Sequence, residues 1–484
     1  MTVSQQNPAQ HEGAIHVQPL VEELYATPHP VDAFQRFRHL PHCLFLDSAA
    51  PGNGLGRYTF LAADPIDWVT VPAGQQDGLS HLRQKLSQWM TAGIPELPPF
   101  QGGAAGLFGF DLGRPWENVP GAAYDEFQVP SLCIGFYDVV VMWDHDAQRS
   151  WIVSTGIPEP DPGRRKQRAA ERLHLFRQCL TGDDRSSQLN LRPSQNKSTV
   201  DIADLSPQHS VDNQAKITSN FSRAGYLQTV QRAIDYIHAG DIFQVNLSQR
   251  LLHPAEADAA DLYLRLRQCN PAPFAGYLDT GSVQIVSASP ERFLQVQQGR
   301  VEARPIKGTR PRNPLAEADL FSGDELQQSE KDRSENVMIV DLLRNDLARV
   351  CSPESVRVTQ LCEVERFAYV QHLVSAIEGS LASDHHPLDL IRATFPGGSI
   401  TGAPKVRAMQ IISELEPNAR GAYCGSLGYI GYDGTMDLNI LIRTITVAGG
   451  WWQMPVGGGI VAQSDPLSEY EETWHKAEGL LKAL

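Results

Sequence analysis

Strand-like runs joined by tight turns recur at both ends of the chain, and they are the strongest limit on its architecture. YDVVVMWD and RSWIVSTG meet across a DHDAQ connection, FLQVQQGRVEARPI (293–306) turns at Gln298-Gly299, and LNILIRTITVAGGWWQMPV (438–456) turns at Gly449-Gly450. Apolar or alternating runs flanking short polar or glycine-containing turns read as antiparallel hairpins. CLFLDSA (43–49) and RYTFLAA (57–63) add further strand-type runs. Helical spacing is confined to a few segments. These are Tyr226–His238, with Val230, Ile234 and Ile237 on one face, SENVMIVDLLRNDLARV (334–350), KVRAMQIISEL (405–415) and the C-terminal SEYEETWHKAEGLLKAL. Hairpins in place of regular βαβ units predict an α+β fold with large antiparallel sheets, and exclude Rossmann and TIM architectures.

At 484 residues the chain exceeds the roughly 250–300 residues at which single cores stop growing, so two domains or one large composite are expected. Residues 181–221 are rich in Ser, Asn, Gln and Asp, the composition of a linker or long surface loop. They separate an N-terminal region, 1–180, from a C-terminal region, 222–484. No apolar run approaches the roughly 18 residues of a membrane helix, so no membrane span is expected. The N-terminus carries neither a secretory nor an organellar pattern, which makes the cytoplasm the expected location. The seven cysteines are never spaced C-x-x-C, which argues against a disulfide framework and a structural zinc site. A net charge of −15 repels nucleic acid and anionic lipid, so neither is an expected partner. An anionic substrate must then be held locally, by a few placed cations and backbone N–H groups.

The last helix is the most legible chemistry. Asp465-Pro466 is a cap followed by a first-turn proline, and Glu469, Glu472 and Lys476 then fall on one face. A solvated face with a Glu472–Lys476 pair accounts for the same spacing. A second carboxylate-bearing helix start, at Glu335, and the triple glycine Gly457–Gly459 feeding into the last helix favour a site instead. Magnesium needs only one or two carboxylates plus an anionic substrate, and bare glycine backbone can offer N–H groups to a carboxylate. PGGSITGAPK (396–405) also opens onto a helix, but Ala403-Pro404-Lys405 is not the Lys-Ser/Thr ending of a phosphate loop, so a nucleotide site is not expected. GGAAGLFGFDLG (102–113) lacks the dinucleotide fingerprint and reads as a tight hairpin.

Together, GDIFQVNLSQR (240–250), SASPERFL (287–294), RPIKGTRPR (304–312), SENVMIVDLLRNDLARV, PGGSITGAPKVRAM (396–409), LNILIRT (438–444) and VGGGIVAQSDP…EYEETWHKA (456–477) resemble the chorismate-utilising enzymes. The N-terminal region is similar to the family through LFLDSA, RYTFLAADP and GGAAGLFGFDLGRPWE. The resemblance implies antiparallel sheets in a sandwich flanked by helices, and a magnesium-bound chorismate. Glu335 and Glu472 match the metal ligands, with Glu469 supporting them. Arg443, Lys476 and Gly457, Gly458 and Gly459 match groups that bind the substrate carboxylates, with Tyr429 and Ser399 nearby. His372 stands at the family's active-site histidine, and Glu291 matches the acid that protonates the departing C4 hydroxyl.

The family's branches differ in nucleophile. Gln244 stands where isochorismate and salicylate synthases carry a water-activating lysine, and an amide cannot act as that base. Pro305-Ile306-Lys307-Gly308-Thr309 follows the aminodeoxychorismate pattern, where anthranilate synthases typically have Ala in place of the lysine; Asn246 follows it too. The resemblance therefore implies attack by Lys307 at C2, then ammonia at C4, giving 4-amino-4-deoxychorismate for p-aminobenzoate and folate supply. Anthranilate formation is the same-class alternative, and a catalytically silent regulatory subunit is the alternative of another class. No cysteine lies in the G-x-C-x-G of glutamine amidotransferases, so a separate amidotransferase subunit is expected to supply ammonia. LFLDSA resembles the family's tryptophan site; Asp47-Ser48 replaces the Glu-Ser of feedback-regulated anthranilate synthases, which leaves tryptophan binding open.

Overall fold

The computed structural model describes residues 18–25, 28–50, 55–75, 78–182, 199–212, 214–312, 315–366 and 370–484. Two large antiparallel sheets face each other. The 13-stranded sheet runs in order through Leu20–Glu23, Arg149–Ser154, Val139–Asp144, Tyr58–Ala62, Leu44–Asp47, Phe274–Asp279, Gln284–Ser289, Thr444–Ala448, Trp451–Ile460, Gln244–Pro254, Gln214–Ser219 and His209–Val211, with Gly402–Ala403 also pairing on Gln244–Pro254. The 10-stranded sheet runs through Ile306–Pro311, Val370–Ser380, Arg300–Ala303, Arg292–Gln297, Met436–Asn439, Ser426–Gly431, Gly103–Phe108, Leu132–Tyr137 and Asp67–Val71, with Arg357–Arg366 on Val370–Ser380.

Strand periodicity explains the layering, because successive side chains point to opposite faces. Leu44, Val140 and Met142 face the space between the sheets, where they meet Ala105, Leu107 and Leu427 of the smaller sheet. Their neighbours Phe45, Val139 and Val141 face outward, against Phe34, Phe37, Phe176 and Tyr263 of the covering helices. A strand buried on both faces needs apolar residues at every position, which is why VVVM shows no alternation. On the smaller sheet's far face, Ile134, Leu294 and Leu438 pack against Leu82, Ile339, Leu343 and Ile391 of three helices. The α+β class and the sandwich agree with the sequence reading. Among the described residues no helix is long and apolar enough to cross a membrane.

Both expected glycine hairpins form. Gln298-Gly299 and Gly449-Gly450 adopt positive φ at both residues, the conformation of the turn that matches strand twist. Two expectations are corrected. GGAAGLFGFDLG is not a hairpin: it forms the strand Gly103–Phe108 and then a 3₁₀ turn, Phe110–Gly113. Its glycines serve close strand approach, since a Cβ on Gly106 (φ 150°) would lie 2.1 Å from the Cys133 carbonyl oxygen and one on Gly103 2.3 Å from that of Ile430. Within the expected 181–221 linker, Gln214–Ser219 and His209–Val211 pair into the larger sheet; residues 183–198 lie outside the described residues. Both sheets also draw strands from either side of that stretch.

Gly106→Ala is therefore expected to lower unfolding stability by at least about 2 kcal/mol, from positive-φ strain and overpacking against backbone. A urea midpoint equal to that of the parent would contradict the close approach.

Candidate functional site

Ile306–Pro311 and Val370–Ser380 pair with Lys307 opposite Leu373 and Thr309 opposite His372, so Gly308 is an extra residue between them. Its φ of 74° is that of a glycine bulge, a device that bends a strand and re-aims the neighbouring side chains. The Lys307 amine donates to the Ser399 carbonyl at 3.2 Å and lies 3.9 Å from Glu335 Oε2. Asn246 Nδ2 donates to the same carbonyl at 3.1 Å. The Ser399 hydroxyl donates to Glu291 Oε1 at 3.1 Å, and the Ile306 N–H approaches that oxygen at 3.5 Å. Ser399 thus holds the amine by its carbonyl and the carboxyl by its hydroxyl.

Burial disfavours charge on both groups. It raises the Glu291 carboxyl to about 7 against the opposing pull of Lys307 and the Ser399 hydrogen bond. Burial likewise lowers Lys307 below the usual lysine range, although Glu335 and Glu291 oppose it. His372 is pushed down to about 4 by burial and the Arg443 charge. Burial also lowers Arg443, which forms no ion pair with a carboxylate among the described residues.

The capped helix Pro466–Leu481 supplies the acidic side. Glu469 Oε1 accepts from Ser464 Oγ at 2.7 Å and from Lys331 Nζ at 3.4 Å. Glu472 pairs with Lys476 at 2.6 Å, and Lys476 also donates to the Gly457 carbonyl at 2.8 Å. Glu335, on Glu330–Ala348, is raised by burial, with Asp332 and Glu469 adding to the effect against Lys307 and Lys331. Gly457–Gly459 do not form a loop but lie in the strand Trp451–Ile460. A Cβ on Gly458 would stand 3.2 Å from Glu469 Oε2, 3.5 Å from Glu472 Oε1 and 3.7 Å from Lys476 Nζ, so bare backbone faces these charges. Among the described residues no three His, Cys, Asp or Glu side chains converge to hold a metal by themselves. Each of the three glutamates instead has a lysine partner. Magnesium requires fewer protein ligands than that when a substrate anion and waters complete its shell, so the oxygen-donor set suits it.

Gln244 is fully buried on the strand beside the glycines, and among the described residues neither its amide oxygen nor its nitrogen has a hydrogen-bond partner. Tyr429 is not in this cleft. It stacks on Phe100 with ring centroids 4.5 Å apart and lines a separate cavity of about 470 Å³ together with Asp47, Ser48, Arg292 and Arg304. There, Asp47 Oδ2 accepts from Tyr263 and Arg267 while Oδ1 has no partner among the described residues, and the Ser48 hydroxyl donates to the Tyr58 carbonyl. Sequence reasoning missed Lys331, whose only signal was its position one turn before Glu335.

Comparison with known proteins identifies the family. Anthranilate synthase component 1 of Thermus thermophilus is 43% identical over 81% of this chain and 79% of its own length. Aminodeoxychorismate synthase component 1 of Salmonella typhimurium is 39% identical over 93% of this chain and 95% of its own. The crystal structure of anthranilate synthase component I from Streptococcus pneumoniae superposes with a TM-score of 0.72 at 30% identity, covering 88% of this chain and 92% of that one. Residues 41–482 match the family described as chorismate binding enzyme, and with so much of its length matched the chain belongs to that family.

Proposed function

We propose that the cleft aminates chorismate at C4, forming 4-amino-4-deoxychorismate for p-aminobenzoate and folate supply. The observation that carries this reading is the Lys307 amine, buried and shifted toward its neutral form, sharing Ser399 with a carboxyl raised to about 7. An amine is a nucleophile only when unprotonated, and a carboxyl is a general acid at neutral pH only when raised.

Arg443, Lys476 and the Gly457–Gly459 backbone bind the two substrate carboxylates, and the cation pair offsets the chain's net negative charge. Glu335 and Glu472, with Glu469 behind them, would hold Mg²⁺, which when bound supplies positive charge to the ring carboxylate. The Lys307 nitrogen forms a bond to C2 as both double bonds of the conjugated ring shift and the C4–O bond breaks, the hydroxyl leaving as water with the Glu291 proton. Ammonia then bonds to C4, both double bonds shift back, and the C2–N bond to Lys307 breaks. A proton from the new ammonium restores Glu291, and the lysine amine is regenerated. Gln244, being an amide, offers no base for activating water. Ammonia comes from a separate amidotransferase: the nearest internal thiol to a suitable sequence, Cys424, is buried and pushed up to about 12, far from the thiolate such chemistry needs. Anthranilate is the rival product, because relatives of both names match over most of their lengths.

Incubation with chorismate, Mg²⁺ and an ammonium salt is expected to yield 4-amino-4-deoxychorismate by chromatography and mass spectrometry; anthranilate with pyruvate would assign the other branch. Without ammonia, the intact mass should show a covalent adduct that maps to Lys307 and is absent from Lys307→Ala. An unmodified Lys307 in a protein that turns over normally would remove its nucleophilic role.

Glu291 separates activity from stability. The unfolded carboxyl ionises from about 4.5 and the folded one only at about 7, so Glu291 makes the fold progressively less stable as pH rises through that window. Glu291→Gln should lower kcat by about 10²-fold or more, yet be more stable than the parent at pH 8, by up to about 3 kcal/mol at about 1.4 kcal/mol per pKa unit. Equal pH dependence of the two melting curves would show that Glu291 is not raised.

A further inference from the structure

Behind Ser399 lies a buried ion pair between Arg420 and Glu416. Arg420 is buried, its side chain only 3% exposed, and each of its nitrogens is already engaged. Nε donates to Glu416 Oε2 at 2.8 Å and Nη2 to Glu416 Oε1 at 2.7 Å. Nη1 donates to the Ile400 carbonyl at 3.0 Å, and Nη2 also to the Asn246 carbonyl at 2.9 Å. The guanidinium stacks 4.7 Å over the Phe110 ring, at the end of the glycine-rich N-terminal segment. Glu416 in turn accepts from the backbone N–H of Ser248 at 2.8 Å and from its hydroxyl at 3.0 Å.

One buried pair therefore ties the strand Gln244–Pro254, at Asn246 and Ser248, to the Gly398–Ile400 turn. Ser399 sits between these anchors. Ile400, directly after it, is held by Arg420, and Asn246, held by its carbonyl, reaches forward with its amide to the Ser399 carbonyl. A buried ion pair gains little net stability over apolar residues of the same volume. Its distinctive consequence here is geometric, because only a planar guanidinium serves a carboxylate and two separate carbonyls at once.

We infer that Arg420, held by Glu416, is a positioning residue for the reaction, fixing the Ser399 peptide that places the Lys307 amine and the Glu291 carboxyl. The inference rests on the roles proposed above for those two groups, not on which amine product they form. A misplacement of the order of 1 Å at reacting groups costs about 10²-fold in rate, whereas Arg443 and Lys476, which bind substrate in that reading, are untouched.

Arg420→Lys keeps the charge facing Glu416 but cannot reach both carbonyls. In a folded variant, chorismate consumption with Mg²⁺ and ammonium salt should show kcat reduced about 10- to 100-fold with KM for chorismate nearly unchanged, and slower Lys307 adduct formation. Parent kcat in folded Arg420→Lys, or a rise in KM with kcat unchanged, would overturn the inference. Should Arg420→Lys not fold, the double variant Arg420→Met with Glu416→Leu removes both charges together and faces the same criterion. If that also fails, Ser248→Ala decides: it deletes one hydroxyl bond to Glu416, should fold, and is expected to lower kcat measurably, while parent kcat would refute the linkage. Release of anthranilate by the parent would change the product reading and leave each of these comparisons valid.

Discussion

The antiparallel pairing of Gln244–Pro254 with Trp451–Ile460 is the contact on which the rest of the cleft depends. It runs unbroken from Val245 opposite Ile460 to Pro254 opposite Trp451. Glycine is required there: a Cβ on Gly457 would stand 2.1 Å from the Leu247 carbonyl oxygen, and one on Gly459 2.5 Å from Gln244 Nε2. The pairing places the last helix, which follows the glycine strand directly, so that its carboxylates lie over Gly458. It also fixes Asn246 and Ser248, through which the Gly398–Ile400 turn is anchored. Stacking of residues far apart in sequence is thus reduced to one register, and a one-residue slip would turn each side chain to the wrong face.

What was legible in the sequence was local. The Gln298-Gly299 and Gly449-Gly450 turns, the Asp465 cap, and the helices at 223–238, 330–348 and 405–415 each announce themselves within a few residues, because turn and cap chemistry depends on neighbours alone. GGAAGLFGFDLG failed for the converse reason. Its glycines are needed by strands that approach from Cys133 and Ile430, and no local pattern separates a glycine bent into a turn from one crowded by a distant backbone. The strands hidden in 181–221 were missed because strands at the solvent-exposed margin of a sheet, the edge strand His209–Val211 and its neighbour Gln214–Ser219, carry the polar composition of a loop. Of the site, Glu291, Lys307, Ser399 and Glu335 do converge, while Tyr429 belongs to the second cavity. Alternation along Ser426–Gly431 cannot say which side of a doubly buried strand a ligand would occupy.

The electrostatics of the cleft reconcile a strongly acidic chain with an anionic substrate. Glu335, Glu469 and Glu472 are each matched by a lysine, so the acidic side presents little uncompensated charge. Among the described residues Arg443 has no such partner, and burial holds its guanidinium below its ordinary range. Leaving a cation without a counter-ion in a low-dielectric setting is costly unless a ligand supplies the charge. The same holds for the orphan amide of Gln244 and for a carboxyl held near 7. These groups weaken the fold locally, and the extensive apolar layers on both faces of each sheet offset them.

The division of labour between the sheets bears on how relatives of different names share one architecture. Glu469, Glu472 and the glycine backbone are organised by the larger sheet and the helix that follows it, whereas Lys307 projects from a bulge in the smaller sheet and Glu335 from the helix packed on that sheet; Ser399 and Glu335 both face the Lys307 amine, and Lys331 links Glu335's helix to Glu469. In the proposed reaction, a change at position 307 alters the attacking group, and Lys307 lies on no strand of the larger sheet. The reverse does not hold. Any shift of the Gly398–Ile400 turn displaces the acceptor for Lys307 and the donor to Glu291 together, because both bonds come from one residue. On the proposed roles, the nucleophile is free to vary at one side chain, while the separation of the Lys307 amine and the Glu291 carboxyl is set by the Asn246–Ser399–Arg420 network that spans the turn and the central strand.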